Sequence, residues 1–134
     1  MKENKSFVSR SPRGSVALGK DFDLGKLPPQ ALDLEESVLG ALMLEKNALT
    51  DVIDILKPDN FYKDANREIY QSIIDLFNNS EPVDLLTVTT QLKKNGKLDF
   101  VGGAYYVTQL TTRVNSASNI EYHSRIILEQ SIKR

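Results

Sequence analysis

After Pro29 the apolar residues fall at helical spacing in runs of a few turns each, and nearly every run is closed by proline, glycine or asparagine. No run persists to the ~18 apolar residues of a membrane span, and there is no 20–50-residue repeat or continuous β alternation. Short amphipathic helices of this kind cannot bury their apolar stripes alone. They have to pack on one another, which confines the chain to a compact helical bundle.

The punctuation predicts the elements in order. Leu34, Val38 and Leu42 recur at i+4, Leu39 and Met43 broaden the stripe, and Gly40 and Ala41 beside it let a neighbouring helix approach closely. Leu49, Val52, Ile53 and Leu56 have the +3, +4, +7 pattern of a second amphipathic helix, stopped by Lys57-Pro58-Asp59-Asn60. Phe61-Tyr62 reads as an aromatic plug in a short connection. A third helix runs from about Asp64 to Phe77, with Ile69, Ile73, Leu76 and Phe77 inward, and Asn78 to Pro82 ends it. Asp84 is an N-cap whose carboxylate accepts from the amide of Leu86 or Thr87. Its helix turns Leu85, Val88 and Leu92 inward and ends at Asn95-Gly96, a left-handed C-cap signal. Val88, Thr89 and Thr90 would also suit a strand, but the frame set by Asp84 and Gly96 decides for helix. Val101-Gly102-Gly103 forms a loop leading into a helix with Ala104, Val107 and Leu110. Thr111 to Ser118 is a polar connection, and Ser118 caps a last helix from Asn119 to the chain end. The expected class is all-α, five or six short helices ending in a longer one.

Composition removes most chemistry. The 134 residues contain no cysteine and one histidine, His123, so thiolate sites, disulfides and the commonest metal clusters are excluded. The overall net charge is −1. Residues 1–26 hold six basic residues against three acidic ones, a net of +3 that leaves −4 for residues 27–134. The first stretch is rich in serine and glycine with apolar residues set singly, so it reads as a disordered basic arm. Arg10, Arg13, Lys20 and Lys26 there offer phosphate contacts, but without aromatic interleaving the arm reads as solvated tail. The N-terminal stretch lacks the apolar core of a signal peptide, and the expected location is the cytosol. Gly14-Ser15-Val16-Ala17-Leu18-Gly19-Lys20-Asp21 matches GxxxxGK but puts Asp where a Mg²⁺-binding hydroxyl belongs. Neither a strand before it nor a helix after it is indicated, so the match is read as accidental. The acidic pairs Glu35-Glu36, Asp51/Asp54 and Glu81/Asp84 read as helix starts or solvated faces rather than acid–base pairs. His123 reads as a surface or interface histidine, and Tyr105-Tyr106 as packing after the glycine turn rather than a ligand pocket.

The final helix carries more apolar residues than one stripe needs. Ile120, Tyr122, Ile126, Ile127, Leu128 and Ile132 spread over more than one face, an excess that points to a partner helix. Each isoleucine buried there contributes on the order of 1.5–3 kcal/mol. The alternative is that both faces pack within the monomer.

Four blocks in order carry a family likeness. Pro28-Pro29-Gln30-Ala31-Leu32-Asp33-Leu34-Glu35-Glu36-Ser37-Val38-Leu39-Gly40-Ala41-Leu42 resembles the opening of the N-terminal domain of DnaB-type replicative DNA helicases. Phe61-Tyr62 with Ile69-Tyr70 is similar to the next family segment, and Glu81-Pro82-Val83-Asp84-Leu85-Leu86-Thr87 to a following helix start. Gly102-Gly103-Ala104-Tyr105-Tyr106 and Ser116-Ala117-Ser118-Asn119-Ile120-Glu121-Tyr122 resemble its last two motifs. The family usually has Asn at Ala31, and often Ala at Leu34 and His at Asn66. With Ala31 unable to cap, Asp33 and Glu36 are expected to form a substitute capping box.

The resemblance implies an architecture of a basic arm over 1–26, a helical head over 27–114, and a connection with the first helix of a hairpin over 115–134. It implies a ring-shaped hexamer that unwinds DNA at replication forks, with ATP and Mg²⁺ bound by a C-terminal motor that also makes most DNA contacts. That motor is expected to be absent from this chain, which leaves no catalytic, cofactor or metal residues here. The implied role is self-association and contact with primase and a helicase loader, with no membrane involvement; the alternative is a free-standing helical adaptor or regulator with no motor domain. The expected docking residues are Ile120, Tyr122, His123, Ile126, Ile127, Glu129 and Gln130.

Overall fold

A computed structural model describes residues 29–114 and 119–134. Among the described residues six α-helices occur in order: α1 (Pro29–Leu44), α2 (Asp64–Asn78), α3 (Leu85–Lys94), α4 (Leu98–Val101), α5 (Gly103–Thr112) and α6 (Ile120–Lys133). Two 3₁₀ turns, Ala48–Asp51 and Pro58–Asn60, lie between α1 and α2, and the described residues contain no strand. None of these helices is long and apolar enough to cross a membrane. The all-α bundle is as expected, although α1 and α2, at 16 and 15 residues, are longer than the 14-residue α6.

α1 runs through the middle. From Ser37 to Met43 every residue is buried, because α2, α3, α5 and α6 all pack around it. A helix without a solvent face has to be apolar on all sides, and Val38, Leu39, Ala41, Leu42 and Met43 supply that. Gly40 meets the C-terminal end of α5 backbone to backbone. A Cβ there would overlap the Leu110 carbonyl oxygen and come within 2.6 Å of Val114 Cγ2. The close approach expected from Gly40 is therefore present.

The helix start differs from expectation. α1 begins at Pro29, a residue suited to the first helical position, so Asp33 and Glu36 sit inside the helix and form no capping box. Glu36 instead lies 3.2 Å from Arg113. The predicted second helix is also replaced. Leu49, Val52 and Leu56 are buried as that pattern requires, but the backbone winds as a 3₁₀ turn and then as mixed turns. Val52 and Ile55 bond three residues back, whereas Ile53 and Leu56 bond four back, so one-sided burial is met without a regular helix.

α2 buries Ile69, Ile73 and Leu76 as expected, whereas Phe77 is 42% exposed at its last turn. Phe61 plugs the core against Tyr70, ring centroids 5.0 Å apart, and the Tyr70 hydroxyl donates to the Leu56 carbonyl at 3.0 Å. Tyr62, the other half of the expected plug, faces outward. α3 is framed as read. The Thr87 N–H donates to the Asp84 carboxylate at 2.8 Å, and Gly96 adopts φ 73° after the helix. Lys97 N–H then reaches Leu92 O and Gly96 N–H reaches Lys93 O, the paired bonds of a Schellman cap. α4 is a single turn that sequence periodicity was too short to show. Gly102 at φ 109° reverses the chain into α5, which buries Val107 and Leu110 but leaves Ala104 outside.

Substituting Gly40→Ala is expected to lower the unfolding free energy by about 1–3 kcal/mol, because backbone and not a flexible side chain has to yield. Urea titration followed by helical circular dichroism checks it, and an unchanged midpoint would disprove the close packing of α1 on α5.

Candidate subunit and partner interface

α6 is divided lengthwise. Its inner face consists of Ile120, Ser124 and Ile127, all buried, with Leu128 partly buried against the core. This face rests on α1 and on the two 3₁₀ turns. Its outer face presents Tyr122, Arg125, Glu129, Ile132 and Lys133 to solvent, with Tyr122 66% and Ile132 75% exposed. Arg125 Nη2 lies 2.9 Å from Glu121 one turn earlier, an exposed pair that steadies the helix by only about 0.3–0.5 kcal/mol.

The last turn of α6 is tied down by polar bonds. Asn60 Nδ2 donates to Ser131 Oγ at 3.0 Å, and Arg134 Nη2 donates to the Asn60 carbonyl at 3.0 Å. The Arg134 guanidinium also stands 5.2 Å from the Tyr62 ring centroid, a cation–π contact. Pro58-Asp59-Asn60 is thus the seat on which α6 ends.

That seat is itself held by Glu35. The Tyr62 N–H donates to Glu35 Oε2 at 2.6 Å, and Asn66 Nδ2 donates to Oε1 at 2.9 Å. Glu35 is 1% exposed, which corrects the reading of Glu35-Glu36 as a solvated pair. Burial pushes its pKa up, and the hydrogen bonds from Tyr62, Asn66 and Lys63 together with the Arg134 charge pull it only part of the way back. The charged form therefore costs stability above the folded-state pKa. That cost is relieved as pH falls through it toward the ordinary glutamate range. The remaining acidic pairs behave as read, with Asp51, Asp54, Glu81 and Asp84 all exposed.

The expected docking residues separate accordingly. Ile120 and Ile127 belong to the core and are not available to a partner, since α1 already covers them. Tyr122 and Glu129 are exposed, while His123, Ile126 and Gln130 are half-buried along the borders. His123 lines an open cleft of about 310 Å³ with Asp33, Leu34, Ser37 and Arg113. Tyr105 is 76% exposed and Tyr106 packs inward, so the two tyrosines share no pocket. Glu35, Asn66 and Arg134 were missed as site residues. Only the unusual Asn66 was signalled by the sequence. No group of acidic residues and histidine among the described residues is placed to hold a metal. The basic arm, the Gly14–Asp21 near-match and Ser118 lie outside the described residues.

Comparison with known proteins agrees with this geometry. The family model "DnaB-like helicase N terminal domain" matches residues 27–129. A replicative DNA helicase DnaB from Rhodothermus marinus is 46% identical over 110 residues, which is 82% of this chain and 12% of that protein. A replicative DNA helicase DnaC from Bacillus subtilis (strain 168) is 43% identical over 109 residues, 81% of this chain and 24% of that protein. The chain thus spans a quarter or less of the curated relatives it matches. The crystal structure of the N-terminal domain of DnaB helicase from Mycobacterium tuberculosis superposes with TM-score 0.75 and 40% identity, covering 79% of this chain and 77% of that one. A DnaB-like replicative helicase whose structure is described with its interactions with primase superposes with TM-score 0.67 and 26% identity, over 76% of this chain and 24% of that one.

The two faces of α6 predict different responses to truncation. Ile127→Ala is expected to cost about 2–5 kcal/mol of unfolding free energy, and Tyr122→Ala less than about 0.5 kcal/mol. Parallel urea titrations measure both, and equal losses would show that Tyr122 is packed within the monomer.

Proposed function

The chain belongs to the DnaB-like helicase N-terminal domain family, and on that premise we propose that it serves as the assembly and partner-docking collar of a replicative DNA helicase. The observation that carries this reading is the outer face of α6. Two large apolar side chains, Tyr122 and Ile132, stand in solvent on a helix whose inner face and last turn are firmly seated. Apolar surface held out on a rigid element is suited to docking, since little ordering entropy is lost when a partner covers it. The helix acts in this reading as the first arm of a hairpin, meeting a second arm and a neighbouring subunit. Tyr122, Ile126, Glu129 and Ile132 make the contact.

The whole protein is proposed to work as a hexamer that unwinds DNA at replication forks in the cell interior. ATP and Mg²⁺ are then bound by a motor outside this chain, which also makes most DNA contacts. Primase is the proposed external partner, supported by the structural neighbour described with it, and a helicase loader is a further one. No step of the chemistry is assigned to residues of this chain.

The test is oligomeric mass by light scattering across a wide concentration range. The wild-type chain is expected to associate as concentration rises. Tyr122→Asp with Ile132→Asp is expected to reduce the mass to that of a monomer while helical circular dichroism stays unchanged. A wild type that remains monomeric at the highest concentration would overturn the α6 interface. Loss of primase capture by the same double variant is expected when the immobilised chain is used as bait.

A further inference from the structure

Glu35 stands at the head of a chain of hydrogen bonds, buried at Asn66 and partly buried at Tyr106, in which the carboxamide and the hydroxyl can reverse. Asn66, fully buried, donates from Nδ2 to Glu35 Oε1 at 2.9 Å and accepts at Oδ1 from the Tyr106 hydroxyl at 2.7 Å. Lys63 Nζ donates to the same hydroxyl at 3.2 Å and lies 4.3 Å from the Tyr106 ring centroid. A carboxamide keeps its shape when turned over, exchanging donor and acceptor, and a hydroxyl is both donor and acceptor. Burial pushes the Tyr106 hydroxyl's pKa up, and Glu36 on α1 pushes it further by its charge and by hydrogen bonding. Glu36 Oε1 is buried with no hydrogen-bond partner among the described residues, although Arg113 Nε lies 3.2 Å away. One end of the chain therefore holds a buried carboxylate rich in donors, and the other a buried carboxylate oxygen short of one.

We propose that Glu35, Asn66, Tyr106 and Glu36 form a two-state hydrogen-bond relay, in which a proton taken up by Glu35 turns the Asn66 amide over and redirects the Tyr106 hydroxyl from Asn66 to Glu36. With Glu35 ionised, the donors point toward it, from Tyr106 to Asn66 to Glu35. With a solvent proton on Glu35 Oε1, that oxygen donates to Asn66 Oδ1, Asn66 Nδ2 donates to the Tyr106 oxygen, and the Tyr106 hydrogen goes to Glu36. Tyr62 N–H keeps its acceptor, Glu35 Oε2, in both states. The second state thus brings a further donor to the Glu36 carboxylate.

The charged and titratable groups facing Glu35 are few. Lys63 comes from the connection before α2, Tyr106 from α5 and Arg134 from the C-cap of α6, while Glu36 with its partner Arg113 completes the far end. Burial of Glu35 outweighs its donors, so the proton is taken up above the ordinary glutamate range. Proton uptake also ends the attraction between Glu35 and Arg134, the residue that ties the last turn of α6 to Asn60 and Tyr62. The relay thereby sets how firmly the docking helix is held, and this consequence rests on the docking role proposed above.

Nuclear magnetic resonance of the 134-residue chain from about pH 4 to about pH 8 tests the relay. The Glu35 carboxyl carbon, the Asn66 side-chain amide and the Arg113 Nε–H are expected to shift with one common midpoint. Glu35→Gln, whose amide donates to Asn66 as a protonated carboxyl would, is expected to hold Asn66 and Arg113 at their acid-limb positions throughout. Tyr106→Phe is expected to abolish the Arg113 shift while Asn66 still follows Glu35. An Arg113 response that survived Tyr106→Phe would overturn the relay. Asn66 and Arg113 at alkaline-limb positions in Glu35→Gln, or an Asn66 amide that ignores the Glu35 midpoint, would overturn it as well. These resonances do not depend on association, so failure of the relay and failure of the α6 interface are separately visible.

Discussion

A helix covered on every side imposes conditions on all its neighbours, and α1 is such a helix from Ser37 to Met43. Because α5 has to approach it closely, a glycine is needed where the Leu110 carbonyl arrives. Because no polar group of α1 can turn to solvent there, any carboxylate on it has to be supplied with donors by other elements. Glu35, two residues before the covered stretch, meets that condition through the amide of Tyr62 and the side chain of Asn66. The connection before α2 is thus fastened to α1 by charge-assisted bonds, not by apolar contact alone. Breaking that arrangement would leave a buried charge unpaired, which is far costlier than losing a surface bond.

The consequence reaches α6. Its inner face gains stability from Ile120 and Ile127 in the ordinary way, by removing apolar surface from water. Its direction at the far end is set differently, by Asn60, Ser131 and Arg134 on a turn that follows α1 through Glu35. Apolar packing is tolerant of small rotations of a helix, whereas hydrogen bonds at about 3 Å with defined angles are not. The outer face is therefore held at a fixed orientation, which a docking surface requires.

Where the fold was legible from sequence, the signal was local. Asp84 and Gly96 frame α3 because a side-chain cap and a left-handed residue act within one turn of their own position. The stripe of Leu49, Val52 and Leu56 identified the buried residues correctly but not the backbone, since burial on one side is satisfied by mixed turns as well as by a helix. Phe77 had the right spacing to be inward and is exposed, because the chain leaves the core at Asn79 before anything covers it. Glu35 was unreadable for a related reason. Its donors come from 27 and 31 residues away, and no local pattern announces a carboxylate that tertiary structure will bury.

The family likeness and the docking surface differ in legibility for the same physical reason. The blocks that carry the likeness are mainly those with structural duties here. They include the covered helix around Gly40, the Phe61 plug, the Asp84 cap and the Gly102 reversal. Such positions tolerate few residue types, because a cavity, a clash or a lost cap each costs about 1 kcal/mol or more. The face proposed for docking, with Tyr122, Glu129 and Ile132, is subject to none of those constraints within the monomer, since each of these residues is exposed. Sequence alone spread the apolar excess of α6 over six residues. Burial divides them, because Ile120 and Ile127 spend their apolar surface on α1 and only what remains outside is free to meet another chain.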